Sequence, residues 1–157
     1  MKNTITQYLT IAIALLFITL PATLSAQKKA DFTGRWTGKG TVDYGFGRRE
    51  EFEYELHLDQ NKDGTITGYS VTFLHVDGKI YTAKAAVEGK YSKNYLNCGE
   101  KYNITEDKLP NSNWIPFTKM ELIWRKQNGS PPTLEGLYEC NDKLNGRLIL
   151  TKKAPQA

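Results

Sequence analysis

Asp31-Phe32-Thr33-Gly34-Arg35-Trp36-Thr37-Gly38-Lys39-Gly40-Thr41-Val42 is the stretch from which the fold is read. Phe32, Gly34, Trp36, Gly38, Gly40 and Val42 fall on one face of an extended chain. Thr33, Arg35, Thr37, Lys39 and Thr41 fall on the other. A period of two with one apolar or small face predicts a strand buried on one side. The glycines around Trp36 are expected to make room for its indole on a crowded inner wall.

The same alternation recurs along the chain. Glu51 to Asp59 places Phe52, Tyr54, Leu56 and Leu58 inward, with an acidic row facing water. Thr65 to Val76 follows a turn at Asn61-Lys62-Asp63-Gly64, and both of its faces are partly apolar. Asp77-Gly78 signals a tight hairpin into Lys79 to Tyr91. Further strands are expected at Tyr95 to Ile104, Phe117 to Lys126, Thr133 to Cys140 and Gly146 to Lys152. Eight strands without an amphipathic helix predict an all-β chain, an antiparallel up-and-down barrel, with a β-sandwich as the alternative.

The 157 residues suit one domain. Residues 1–26 resemble an export signal: Lys2 is basic, Tyr8 to Leu20 is apolar and too short to span a bilayer, and Pro21 ends the run. Leu24-Ser25-Ala26 offers a cleavage site, and no lipoprotein cysteine follows it. The expected mature protein is a single barrel domain over 27–157, periplasmic or secreted, with no membrane span. Removing residues 1–26 takes away only Lys2, which lowers the net charge from +4 to +3. The charges are interspersed, so no nucleic-acid footprint is present.

Cys98 and Cys140 in an exported chain are expected to form one disulfide, with two buried thiols as the alternative. Asp59, Asn61 and Asp63 match the first half of a calcium loop, but Ser70 stands where that loop needs glutamate. An ordinary turn is the preferred reading, and any calcium would bind weakly. Glu100 shares the parity of Leu96, Cys98, Tyr102 and Ile104. Either its carboxylate points inward and needs a partner or a ligand, or a bulge turns it to water. His57 and His75 share no metal spacing with the cysteines, and no nucleophile elbow or phosphate loop is present. No enzyme activity, cofactor or metal is expected.

Phe32-Thr33-Gly34-Arg35-Trp36 resembles the Gly-x-Trp opening of the calycin barrels, the group of lipocalins and avidins. Asp63-Gly64-Thr65-Ile66-Thr67-Gly68 is similar to the turn and third strand of avidin-like proteins. The resemblance covers these segments and, elsewhere, only the strand pattern. It implies the shape, an eight-stranded barrel. The biotin-binding pattern is missing: Gly38 stands in place of asparagine and Ser70 in place of tyrosine, with Tyr69 one residue early on the opposite face. Lipocalins also cover the tryptophan with a late basic residue. Arg125 returns to the level of Trp36 and is expected to close the floor with it, whereas Arg147 belongs to the other end.

In such a barrel the connections after the first and fifth strands share one end. They carry Tyr44, Phe46, Trp114 and Ile115. These residues are expected to rim an open mouth, with Tyr54, Trp124 and Tyr138 lining the wall. The alternative is a lid over a packed core. Two roles follow: binding a small apolar or amphipathic ligand, or acting as a non-catalytic interaction or inhibitor module of the cell envelope. Tyr69, Val71 and Phe73 on the outer face also admit a homodimer.

Overall fold

Alternation sends every second side chain of each strand to the same side, and eight such strands bury that side by closing on themselves. The computed structural model describes residues 29–43, 49–110, 113–140 and 144–154. The expected leader 1–26 and the rim residues Tyr44 and Phe46 lie outside the described residues. The strands are β1 (Gly34–Asp43), β2 (Arg49–Gln60), β3 (Thr65–Val76), β4 (Lys79–Ser92), β5 (Tyr95–Glu106), β6 (Lys119–Arg125), β7 (Thr133–Cys140) and β8 (Leu144–Lys152). They pair antiparallel in chain order. β1 then closes the barrel on β8, from Trp36 opposite Lys152 to Val42 opposite Gly146. That closure excludes a sandwich. No helix among the described residues is long and apolar enough to cross a membrane.

The lower end is sealed by the chain before β1. Ala30 and Phe32 are buried, and the Phe32 N–H donates to Gln60 Oε1 at 2.9 Å. The Trp36 indole N–H donates to the Phe32 carbonyl at 2.8 Å. Gly34 makes the bend between this plug and β1 at φ +115°, a conformation that L side chains rarely adopt. So Phe32 belongs to the plug rather than to the strand. The space at Gly40 serves the Phe52 ring, not Trp36: a Cβ there would lie 2.0 Å from the ring.

Trp36, Leu56, Ile66, Leu96, Leu122, Leu134, Leu148 and Leu150 fill the lower and middle barrel. Each fully buried leucine is worth roughly 1.5–3 kcal/mol of transfer free energy. β5 departs from the regular pattern. From Ala83 to Val87, β4 is matched on β5 by Glu106 to Glu100, so β5 carries extra residues and bulges twice. The bulges undo the simple parity above Glu100, which is why Tyr102 and Ile104 lie exposed rather than inward. The β5–β6 ladder ends before the bulges, at Cys98 opposite Met120.

The expected disulfide is absent. Cys98 and Cys140 are both free and buried. Cys98 sits opposite Met120 on β6, and Met120 sits opposite Tyr138 on β7, two residues before Cys140. The two cysteines are separated by two strand spacings of about 4.8 Å each. A disulfide needs α-carbons about 4.4–6.8 Å apart, so β6 holds the thiols out of bonding range.

Candidate functional site

Above the leucine layers, one wall of the barrel is aromatic. Phe117 stacks on Tyr138, with ring centroids 4.3 Å apart, and on Tyr54 at 5.2 Å. Phe52 packs its edge against Tyr54 and Tyr138. Tyr54 and Tyr138 are thus part of the filled interior, and their hydroxyls bond within the fold. Tyr138 O–H donates to the Thr41 carbonyl at 3.0 Å, and Tyr54 O–H donates to Glu100 Oε1 at 2.9 Å.

Glu100 faces inward and is only 9% exposed. The bulges that sequence parity admitted lie just beyond it and leave its side chain inside. Its Oε1 also accepts from Ser70 Oγ at 2.5 Å, and its Oε2 accepts from the Phe117 backbone N–H at 2.7 Å. Burial pushes the Glu100 carboxyl above its ordinary value and outweighs these three hydrogen bonds. Burial, reinforced by the charge of Glu100, holds Tyr54 well above its usual range. The same two causes push both the Cys98 and Cys140 thiols up to about 12. They are therefore protonated and poor nucleophiles.

The β3–β4 wall is built differently. Ser70 faces Ala85, Thr72 faces Ala83 and Leu74 faces Tyr81, all on the inner side. Thr72, Leu74 and Tyr81 point inward yet stay partly exposed. The small side chains Ser70, Ala83 and Ala85 of the same wall are buried.

The described parts of the connection after β5, 107–110 and 113–118, lie at this end. Asp107 ties down its start: the Thr82 N–H and Oγ1 both donate to Asp107 Oδ2, at 2.7 and 2.8 Å. Leu109 and Phe117 are buried beneath it. The half-buried Trp114 donates its indole N–H to the Asp107 carbonyl at 2.7 Å, and Ile115 is exposed. Trp124 lies at the opposite end, opposite Leu134, with its backbone N–H donating to the Asn94 carbonyl. Its indole nitrogen is buried without a hydrogen-bond partner among the described residues.

The basic residue over Trp36 is Lys152, not Arg125. Lys152 Nζ lies 5.4 Å from the indole centroid and 2.6 Å from Asp31 Oδ2. Arg125, at the end of β6, is exposed. β8 delivers Lys152 directly opposite Trp36, which β6 cannot do from across the barrel.

Of the calcium-loop match Asp59, Asn61 and Asp63, the last two bond to Thr65 within the turn. Asp63 Oδ1 accepts from the Thr65 N–H and Oγ1, and Asn61 Nδ2 donates to Thr65 Oγ1. Among the described residues no group of three acidic, histidine or cysteine side chains is placed to hold a metal. On the outer face Tyr69, Val71 and Phe73 are half-buried. The Tyr69 ring is stacked on His57 at 4.3 Å, with Lys84 Nζ 3.8 Å from its centroid.

Sequence reasoning missed Ser70, Phe117 and Lys152 as members of these clusters. Only a marked preference between the two faces of β3 would have pointed to Ser70, and both faces are partly apolar. No known family model matches this chain, and none of the curated proteins does.

Proposed function

We propose that this protein is an exported, calycin-like barrel that takes a small, partly apolar ligand at its upper mouth. The observation carrying this reading is the asymmetry of the upper wall. Aromatic rings fill one side, while on the other the inward-facing Thr72, Leu74 and Tyr81 stay partly exposed beside the small, buried Ala83 and Ala85. A ligand lying there would be bordered by Trp114 and Ile115 on the connection after β5. Its binding energy would come from apolar burial, about 25 cal/mol per Å² removed from water, less the cost of ordering the ligand. Lys152 over Trp36 supports the likeness to lipocalins, and the apolar opening of the chain supports export.

Native mass spectrometry of protein from its own host's envelope tests the proposal. A monomer carrying one extra small mass is the expected result. Trp114→Ala should weaken retention of that mass in a barrel that stays folded. An empty monomer would count against the reading.

A second reading has its own support. The filled lower barrel and the exposed Tyr95, Leu137 and Ile149 suit an interaction or inhibitor module that works through its outer surface. A dimer, or a complex with another envelope protein, in the same measurement would favour it.

A further inference from the structure

We infer that the ligand of the upper mouth carries a protonated nitrogen and that Glu100 is the group that reads it. This rests on the mouth-binding reading above. Among the described residues Glu100 is the buried acid of the interior, and no cation is among its partners. β2 presents Tyr54, β3 presents Ser70, and the connection 107–118 presents the Phe117 N–H. The titratable neighbours on β5 and β7 are Cys98 and Cys140, both neutral thiols. β4 offers only Ala85 and Val87 on this side. When Glu100 ionises, its charge is therefore hydrogen-bonded but not balanced by any described residue.

A carboxylate has about four acceptor positions, and three are taken here, two on Oε1 and one on Oε2. The remaining position, on Oε2, has no donor among the described residues. A neutral hydroxyl would add one ordinary hydrogen bond. A protonated amine would add a charge-assisted bond and balance a charge whose isolation in low dielectric is costly. A ligand carboxylate would meet the same charge as repulsion. The predicted order of preference is amine, then alcohol, then acid.

Phenethylamine, 2-phenylethanol and phenylacetate share one apolar body and differ in the head group, so they separate the effects. Isothermal titration of the mature protein at about pH 7.5 should find the amine bound about tenfold more tightly than the alcohol, with the acid weakest. In Glu100→Gln the amine-to-alcohol ratio should fall close to one. Equal binding of amine and alcohol by the wild-type protein overturns this inference and leaves the mouth reading standing. So does a preference that survives in Glu100→Gln. Failure of all three compounds to bind overturns both. If Glu100→Gln does not fold, the wild-type protein decides the matter. Its amine preference should vanish near pH 4, where the carboxyl holds its proton, and persistence there overturns the inference.

Discussion

Glu100 and Phe117 clasp each other twice. The Glu100 backbone N–H donates to the Phe117 carbonyl at 2.8 Å, and the Phe117 N–H donates to the Glu100 side chain at 2.7 Å. In a regular ladder the second acceptor would be a backbone carbonyl. Here the β5–β6 ladder has ended at Cys98, and a carboxylate takes that place. One side chain thus anchors the end of the connection between β5 and β6.

Removing that anchor should loosen the connection before it unfolds the barrel. Glu100→Ala leaves the Phe117 N–H without its acceptor and strips partners from Tyr54 and Ser70. A loss of about 3 kcal/mol in urea unfolding is expected, because buried polar groups are left unpaired. Trypsin should also cut faster within the connection, at Lys108. A cleavage rate equal to that of the wild-type protein would mean that Glu100 does not hold the segment.

Acid should stabilise the Glu100 site. Its folded carboxyl titrates above its ordinary value of 4.5. Between that value and the higher folded one, the folded protein keeps a proton that the unfolded chain has released. Stability therefore falls as pH rises through the window, by about 1.4 kcal/mol per pH unit, and levels off above it. Glu55, beside Arg35, is lowered and acts in the opposite sense, its contribution fading as pH falls. Subtracting the Glu100→Gln stability curve from that of the wild-type protein isolates the Glu100 part. A flat difference between pH 4.5 and 8 would refute it.

Lys152 and Arg125 should differ sharply under substitution. Lys152→Met keeps the aliphatic stem but removes the cation from Trp36 and from Asp31. That should cost about 1 kcal/mol. Arg125→Met, at an exposed site, should stay within about 0.5 kcal/mol of the wild-type protein. Urea midpoints for the two variants provide the comparison, and equal losses would contradict the assigned roles.

The thiols should be silent in the folded protein. With both pushed up to about 12 and buried, neither Cys98 nor Cys140 should react with a thiol reagent at neutral pH. Unfolding in guanidinium without reductant should release two reactive thiols per chain. No reactive thiol under those conditions would indicate a disulfide and a different arrangement of β5 and β7.

The boundaries of β3 and β7 follow from alternation and turn residues alone, and the inward faces of β1, β2 and β6 are legible in the same way. Glu100 was visible as an inward-parity acid, but its surroundings were not. Its partners Ser70 and Tyr54 are 30 and 46 residues away in the chain. Tyr102 and Ile104 show the complementary error. Their parity is correct for a regular strand, and the bulges that break the register leave no mark in the alternation.

The sequence by itself determined the eight strands and the burial of residues such as Trp36 and Leu122, because the face a side chain takes in a strand is a local property with a period of two. Only the tertiary structure decided that Lys152 covers Trp36, that β6 keeps Cys98 from Cys140, and that Glu100 meets Tyr54, Ser70 and Phe117. Those contacts depend on closure, bulges and register between strands, which bring together side chains that no local pattern relates.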